Sequence, residues 1–87
     1  MAHHKSAQKR IRQSERRRKR NQHVRSGMRT QVKLLRAALE AGDAGAAADC
    51  LKNAEQAIRR AATKGVIPKR RADRTVSRLA KSVNALS

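Results

Sequence analysis

The chain has 87 residues, of which 23 are Lys or Arg and only 6 are Asp or Glu, so its formal net charge is +17 at pH 7. It contains no Phe, Tyr or Trp and therefore lacks both the aromatic platforms that stack single-stranded bases and the aromatic belts of membrane proteins. A chain this short forms one domain at most, and its charge indicates a polyanionic partner.

The composition also argues against a secreted protein, a membrane protein or an enzyme. No window approaches the 18 apolar residues of a membrane-spanning helix, and no apolar segment of the signal-peptide type follows the basic start. The single cysteine, Cys50, fits a reducing cytoplasm, and we expect it to be a small buried or half-buried side chain. Because the chain lacks paired carboxylates, a phosphate-binding glycine loop and Cys/His metal spacing, we predict no catalysis, no metal and no cofactor.

The first element in chain order is a basic arm. The stretch from Lys5 to Arg20 carries nine bases, against one acid, Glu15, and one sizeable apolar side chain, Ile11. Such a stretch has no face that could be buried within its own protein. We therefore predict that residues 1–22 project from the fold. We also expect most of the arm to be disordered or only partly helical in the free protein and to fold on its partner.

The arm continues into a long helix, predicted from about Lys5 to Ala41. Before Gly42, only Gly27 weakens this helix, by about 1 kcal/mol relative to Ala. The apolar positions after the arm recur at helical steps of four, four, three and four, namely Val24, Met28, Val32, Leu35 and Leu39. At 1.5 Å per residue the helix would be roughly 55 Å long, so only its second half can pack against a domain of this size.

A second helix is predicted from about Ala44 to Thr63. Gly42 is expected to stop the first helix and Asp43 to cap the second. The inward face of the second helix is built mostly from alanine, which lets neighbouring helices approach closely. This face consists of Ala47, Leu51, Ala54, Ile58 and Ala61.

The third helix follows a short connection. Lys64 and Gly65 end the second helix with a left-handed cap, and Pro68 suits the first position of the third, which runs to about Ala85. Val66 and Ile67, in the connection, are expected to close the end of the core. The inward residues of the third helix are Ala72, Val76, Leu79, Val83 and Leu86. Short connections make neighbouring helices antiparallel. The predicted fold class is all-α: a three-helix up-down-up bundle, residues 23–87, with an overlong, projecting basic N-terminal helix.

The charges are unevenly distributed along the chain. Residues 1–36 carry a net charge of +12, residues 37–58 carry −3 and residues 59–87 carry +8. Two basic stripes run beside the apolar rows of the first and third helices; they consist of Arg25, Arg29, Lys33 and Arg36, and of Arg71, Arg74, Arg78 and Lys81. One such stripe is usually a solvated helix face. Two stripes, continuous with a basic arm and separated from an acidic helix, favour a nucleic-acid partner.

The main alternative is an architectural DNA-binding protein of the nucleoid type. A bare basic helix could enter the DNA major groove, but the apolar pattern after the arm covers barely two heptads, too short for a zipper. A folded RNA packs phosphates on several sides of a crevice and can satisfy a helix charged all round, which favours RNA. A membrane-active cationic helix is disfavoured because the most basic stretch has no apolar face.

Four segments carry a resemblance to a known family. They are KSAQKRIRQSERRRKRN at the start, RSGMRT followed by Lys33, the EAGD turn at residues 40–43, and KGVIPKRRADRTVSRLAK at residues 64–81. Through them, nearly the whole chain resembles the bacterial family of small-subunit ribosomal protein twenty. The resemblance implies a three-helix bundle of the cytoplasmic small ribosomal subunit that binds 16S ribosomal RNA directly and early in assembly. It also implies a bridge between the 5′ domain and the base of the long penultimate stem.

The positions that match the family's RNA contacts, together with the stripe residues other than Arg36, define the candidate site. The candidate RNA-binding residues are Lys5, Lys9, Arg10, Gln13, Ser14, Arg17, Arg18, Asn21, Arg25, Ser26, Arg29, Thr30, Lys33, Lys64, Lys69, Arg70, Arg71, Arg74, Ser77, Arg78 and Lys81. Gly65 and Ala72 also match family positions. Where the family usually has His and Asn around Lys69, this chain has Pro68 and Arg70, so we expect Arg70 to contact phosphate. We expect no membrane, small-molecule or homo-oligomeric partner.

Overall fold

The computed structural model describes the backbone of residues 2–86 and the side chains of residues 4–86. It consists of three α-helices: α1, Ala2–Ala41; α2, Ala44–Thr63; and α3, Lys69–Leu86. The predicted all-α class and three-helix bundle are confirmed. Helix α1 begins at Ala2, earlier than the predicted Lys5, and α3 ends at Leu86, one residue later than predicted.

The turn between α1 and α2 follows from one glycine and one aspartate. Gly42 has a φ of 70°, a left-handed conformation that glycine adopts without steric cost. The N–H of Gly42 donates to the Leu39 carbonyl at 3.1 Å and that of Asp43 to the Ala38 carbonyl at 3.2 Å, the pattern of a Schellman motif. The Asp43 carboxylate then accepts from the Ala46 N–H at 3.1 Å. The predicted helix stop and N-cap are both confirmed.

The turn after α2 repeats this design. Gly65 has a φ of 75°, and its N–H donates to the Ala62 carbonyl at 3.0 Å. The Val66 N–H donates to the Ala61 carbonyl at 2.9 Å, which completes a second Schellman motif. The left-handed cap predicted at Gly65 is therefore confirmed.

The start of α3 differs from the prediction by one residue. Pro68 was expected at the first helical position, but α3 begins at Lys69. The Pro68 carbonyl accepts the first helical hydrogen bond, from the Ala72 N–H at 3.0 Å, so Pro68 is the N-cap. An N-cap residue needs no N–H of its own, and proline lacks one, which explains why this position tolerates it.

The core lies between α2 and its two neighbours. Leu35 and Ile58 are its largest fully buried side chains, and the alanines of α2 that were predicted to face inward, Ala47, Ala54 and Ala61, have no exposed surface. Every sizeable apolar residue that the helical pattern assigned to an inward face is buried or half-buried. Within residues 4–86, the two sizeable apolar side chains outside that pattern, Ile11 and Leu34, are 59% and 51% exposed.

Two adjacent leucines provide a test of this packing. Leu35→Ala should lower the free energy of unfolding by about 2–5 kcal/mol, because it removes a fully buried side chain and leaves a cavity. Leu34→Ala, in the same turn and with half its surface exposed, should change it by no more than about 0.5 kcal/mol. Urea titrations followed by circular dichroism measure both values. Equal losses for the two variants would contradict the packing described here.

Helix α1 extends well beyond the bundle. The molecule measures 65 × 21 × 14 Å and its radius of gyration is 17.5 Å, against about 12 Å for a compact domain of this length. All side chains of residues 4–20 are exposed, and the first half-buried ones are Asn21 and Val24. The expectation that most of the arm is disordered or only partly helical differs from the structure, in which it is helical. The arm continues a packed helix, so it needs no nucleation of its own.

The three helices do not pack equally on one another. Helix α2 lies between the other two, and α1 and α3 contact α2 extensively but each other only briefly. The α1–α3 side of the bundle is therefore an open groove, with Ile58 of α2 among the residues that line it.

Candidate nucleic-acid interface

The groove between α1 and α3 brings residues of the two basic stripes together. It has a volume of about 520 Å³ and is lined by Met28, Arg29, Val32, Lys33, Arg36, Ile58, Ile67, Arg71 and Thr75. Three of the four bases in this set come from the α1 stripe and the fourth, Arg71, begins the α3 stripe. No lining residue is acidic, so like charges face each other across the groove. An anionic ligand would relieve their repulsion.

The remaining bases of the α3 stripe extend this positive wall along the helix. Arg74, Arg78 and Lys81 follow Arg71 at helical steps of three, four and three and are all exposed. The candidate residues Arg70 and Ser77 are exposed on the same helix. The first turn of α3, Lys69 to Arg71, holds three bases at the end where the helix dipole is also positive. This arrangement costs stability unless an anion compensates it.

A second group of candidate residues lines two shallow depressions along α1. One is formed by Gln22, Arg25, Ser26, Arg29, Thr30 and Lys33, and the other by Ser14, Arg17, Arg18, Asn21, Gln22 and Arg25. All of these except Gln22 were predicted from the sequence. The Thr30 hydroxyl donates to the Ser26 carbonyl at 2.9 Å, so its oxygen remains available only as an acceptor.

The basic side of α1 changes along the helix. At about 100° per residue, one longitudinal line contains His4, Gln8, Ile11, Glu15, Arg18, Gln22, Arg25, Arg29, Lys33 and Arg36. Within the arm, Arg18 is the single base on this line, and the other eight arm bases lie on the remaining sides of the helix. From Arg25 onward every member is basic. Viewed along the axis of α1, the mean direction in which the arm bases project differs by about 160° from that of the stripe bases.

Some candidate residues lie away from the groove. The arm residues Lys5, Lys9, Arg10 and Gln13 are exposed beyond the bundle, and Lys64 lies in the exposed turn after α2. Lys69 is on the α2–α3 side, in a shallow depression with Arg59 and Asp73. The structure thus brings Arg29, Lys33 and Arg71 together at the groove, leaves the arm bases beyond the bundle and places Lys69 on another side.

Nearly all the positive charge lacks an internal partner. Every Lys and Arg is exposed. Within residues 4–86, only Arg59 has a carboxylate within 4 Å: Glu55 at 3.0 Å and Asp73 at 3.9 Å. Asp73 is the single acid of α3, and Arg59 compensates it from α2. The acids of the first turn and α2 are Glu40, Asp43, Asp49 and Glu55, and none of them lines the groove.

Three polar or charged residues of the groove and of the two α1 depressions were absent from the set of candidate RNA-binding residues. Arg36 belongs to the predicted α1 stripe and lines the groove but matches no quoted family position. Thr75 follows Arg71 by one helical turn, and Gln22 follows Arg18 by one turn, so helical spacing was the signal available for both. Among the predicted residues, Asn21 has a buried Oδ1 with no hydrogen-bond partner in the described part of the chain.

The described residues also lack two other kinds of feature. In the portion of the chain that the structure describes, no three His, Cys, Asp or Glu side chains are grouped so that they could hold a metal ion. None of the described helices is both long and apolar enough to span a membrane.

Fold and surface together define a class: a small all-α protein that presents unpaired arginine and lysine side chains to a polyanion from a projecting helix and a two-walled groove. Comparison with known proteins identifies the family. Residues 2–84 match the family model described as ribosomal protein S20.

Curated relatives agree over almost the full length. The chain is 54% identical over 86 residues to a protein of Geobacter metallireducens, with 99% of each chain covered. It is 54% identical over 87 residues to one of Geotalea daltonii, with both chains fully covered. It is 51% identical over 87 residues to one of Gluconobacter oxydans, covering 98% of that protein. All three are named small ribosomal subunit protein bS20. The chain belongs to the ribosomal protein S20 family and is a structural ribosomal protein, not an enzyme.

Proposed function

We propose that this chain is a component of the small ribosomal subunit that binds 16S ribosomal RNA directly and holds separate RNA segments together. The observation that carries the proposal is the groove. It places Arg29, Lys33 and Arg36 of α1 opposite Arg71 of α3, with no carboxylate on either wall. RNA phosphates supply the counter-charges that the protein lacks, and counterion release favours binding.

The change of basic side along α1 supports a bridging role. The stripe bases of α1 project to one side of the helix, and most arm bases project to the others. Two RNA segments could therefore be bound from different directions by one rigid element. The segments we propose are the 5′ domain and the base of the penultimate stem. On this basis residues 1–22 form the projecting arm and residues 23–87 the bundle.

The contact set of the proposal is the one named from the sequence, divided by position. The arm and the rest of α1 contribute the residues from Lys5 to Lys33, and α3 with its preceding turn contributes those from Lys64 to Lys81. Arg36 and Thr75 are added because both line the groove. Most of these side chains are Lys or Arg, so they position RNA through its phosphates more than they read its sequence.

Competitive binding tests the proposal. Labelled protein is offered a folded 16S fragment containing the 5′ domain and the penultimate-stem base, with magnesium and about 0.15–0.2 M monovalent salt, conditions in which non-specific phosphate contacts are weakened. Equal masses of duplex DNA and of an unrelated structured RNA compete. We expect only the unlabelled 16S fragment to displace the label efficiently. Equal competition by all three, collapsing together as salt is raised, would indicate a generic polyanion binder of the nucleoid type instead.

A further inference from the structure

The groove between α1 and α3 has a feature that phosphate binding does not explain: its floor is apolar. Met28, Val32 and Ile67 form this floor; they are half-buried and pack against the core, in which Ile58 lies beneath them with no exposed surface. A phosphate gains nothing from such a surface, because bringing a charge against apolar groups costs hydration. The floor therefore fits a ligand with a flat apolar face, while the basic walls fit the anionic groups attached to it.

An unstacked nucleotide combines these two properties. Its base has two apolar faces and its neighbours in the chain carry phosphates on both sides. Proteins that bind unstacked RNA bases hold them against aromatic rings or against arginine guanidinium planes. This chain has no aromatic residue, but Arg29, Arg36 and Arg71 line the groove above its apolar floor.

One polar side chain lies within the same groove. Thr75 is half-buried, and its hydroxyl donates to the Arg71 carbonyl at 2.8 Å. With its hydrogen engaged, the Thr75 oxygen can offer a ligand only an acceptor. An exocyclic amine of a base and a ribose 2′-hydroxyl are both donors that would satisfy it.

We propose that the groove is a subsite for one extruded nucleotide of the bound RNA. The base lies with one face against Met28, Val32 and Ile67 and the other beneath an arginine guanidinium group, and the flanking phosphates pair with the remaining bases among Arg29, Lys33, Arg36 and Arg71. This inference rests on the proposed RNA-binding function and names the part of the RNA that the groove receives. A protein segment is disfavoured as the occupant because four unpaired cations and no acid line the groove.

A pair of threonine substitutions tests the subsite without changing charge. Thr75→Met fills the groove with a longer apolar side chain. Thr63→Met is the matched control, since the Thr63 hydroxyl also donates to a carbonyl four residues earlier, at 2.9 Å, but lines the α2–α3 side instead. We expect Thr75→Met to weaken binding to the 16S fragment about fivefold, the low end of the range for one base stacked on an aromatic ring, because this groove offers aliphatic side chains instead. The salt dependence of binding should stay unchanged in Thr75→Met, and the affinity of the Thr63→Met control should equal that of the wild type.

A cysteine probe then identifies the nucleotide. In a Cys50→Ser background, Val32→Cys places a single thiol on the groove floor, and Ala37→Cys places one on an exposed part of the same helix. An aryl azide attached at residue 32 should crosslink to one or two adjacent nucleotides, mapped by primer extension. 2-Aminopurine at that position should brighten when wild-type protein binds, as expected of an unstacked base, and should stay quenched with Thr75→Met.

The outcomes separate the subsite from the function on which it rests. If the 16S fragment does not bind the wild-type protein in preference to its competitors, the proposed function fails first. If binding is tight but Thr75→Met behaves as the control does and 2-aminopurine stays stacked, the subsite proposal is overturned. If the thiol at residue 32 keeps its full reactivity in the complex, the groove stays open, and a protein partner becomes its expected occupant.

Discussion

Neutralising one base on each wall of the groove, Arg29→Gln with Arg71→Gln, should weaken binding to the 16S fragment about a hundredfold. Both guanidinium groups line the same groove and neither has an acidic partner within the described residues. Two lost charge-assisted contacts, each contributing at least about 1.5 kcal/mol, give this factor. The plot of log K against log salt should become shallower by about 1.5 units, which corresponds to two phosphate contacts.

A control with the same change of charge separates position from net charge. Lys52→Gln with Arg60→Gln also removes two positive charges, from exposed positions on α2 that line neither wall of the groove. This variant should lose only a small part of the affinity, through the weaker long-range field of the protein. Equal losses for the two double variants would mean that charge alone governs binding and that the groove is not a contact surface.

The same substitutions should not unfold the protein. Arg29 and Arg71 are exposed and face like charges across the groove, so their replacement removes repulsion and no internal ion pair. We expect the free energy of unfolding to stay the same or to rise slightly. The basic walls therefore lower the stability of the free protein while they favour RNA binding, a combination that is common at functional sites.

The helices and their ends were predictable because local residues determine them. The alanine face of α2 and the Gly42–Asp43 and Lys64–Gly65 turns each depend on a few neighbouring residues, and the structure confirms all three. Pro68 was misplaced by one residue because its fixed φ suits both the N-cap and the first helical position. Local patterns thus give element type reliably and element ends less exactly.

The groove could not be predicted in the same way. Heptad-like spacing on α1 and α3 shows that each has an apolar face, but it does not determine which helix that face contacts. In the structure both faces turn mainly to α2, and this leaves the apolar side chains of Met28, Val32 and Ile67 at an open groove. The sequence identified the bases of both stripes as candidates. Their placement opposite each other, across Ile58, depends on tertiary packing.

Removing the charge of the arm should have the largest effect of all. Replacing the nine Lys and Arg between residues 5 and 20 by Gln should weaken binding to the 16S fragment by about three orders of magnitude or more and make its salt dependence much shallower. The bundle should unfold at the same urea concentration as before, because no side chain of residues 4–20 is buried. Filter binding at several salt concentrations and urea titration measure the two properties.

A second arm variant distinguishes charge from geometry. Exchanging every Arg of residues 5–20 for Lys keeps the charge but removes the bidentate contacts that guanidinium groups make with phosphates. We expect it to keep the salt dependence of the wild type and to lose only part of the affinity. Circular dichroism of the free protein should show the arm helical in both variants, since Gln and Lys are good helix formers. If the Gln variant bound as tightly as the wild type, the bundle alone would carry the interface. The projecting half of α1 would then have no role in holding a second RNA segment.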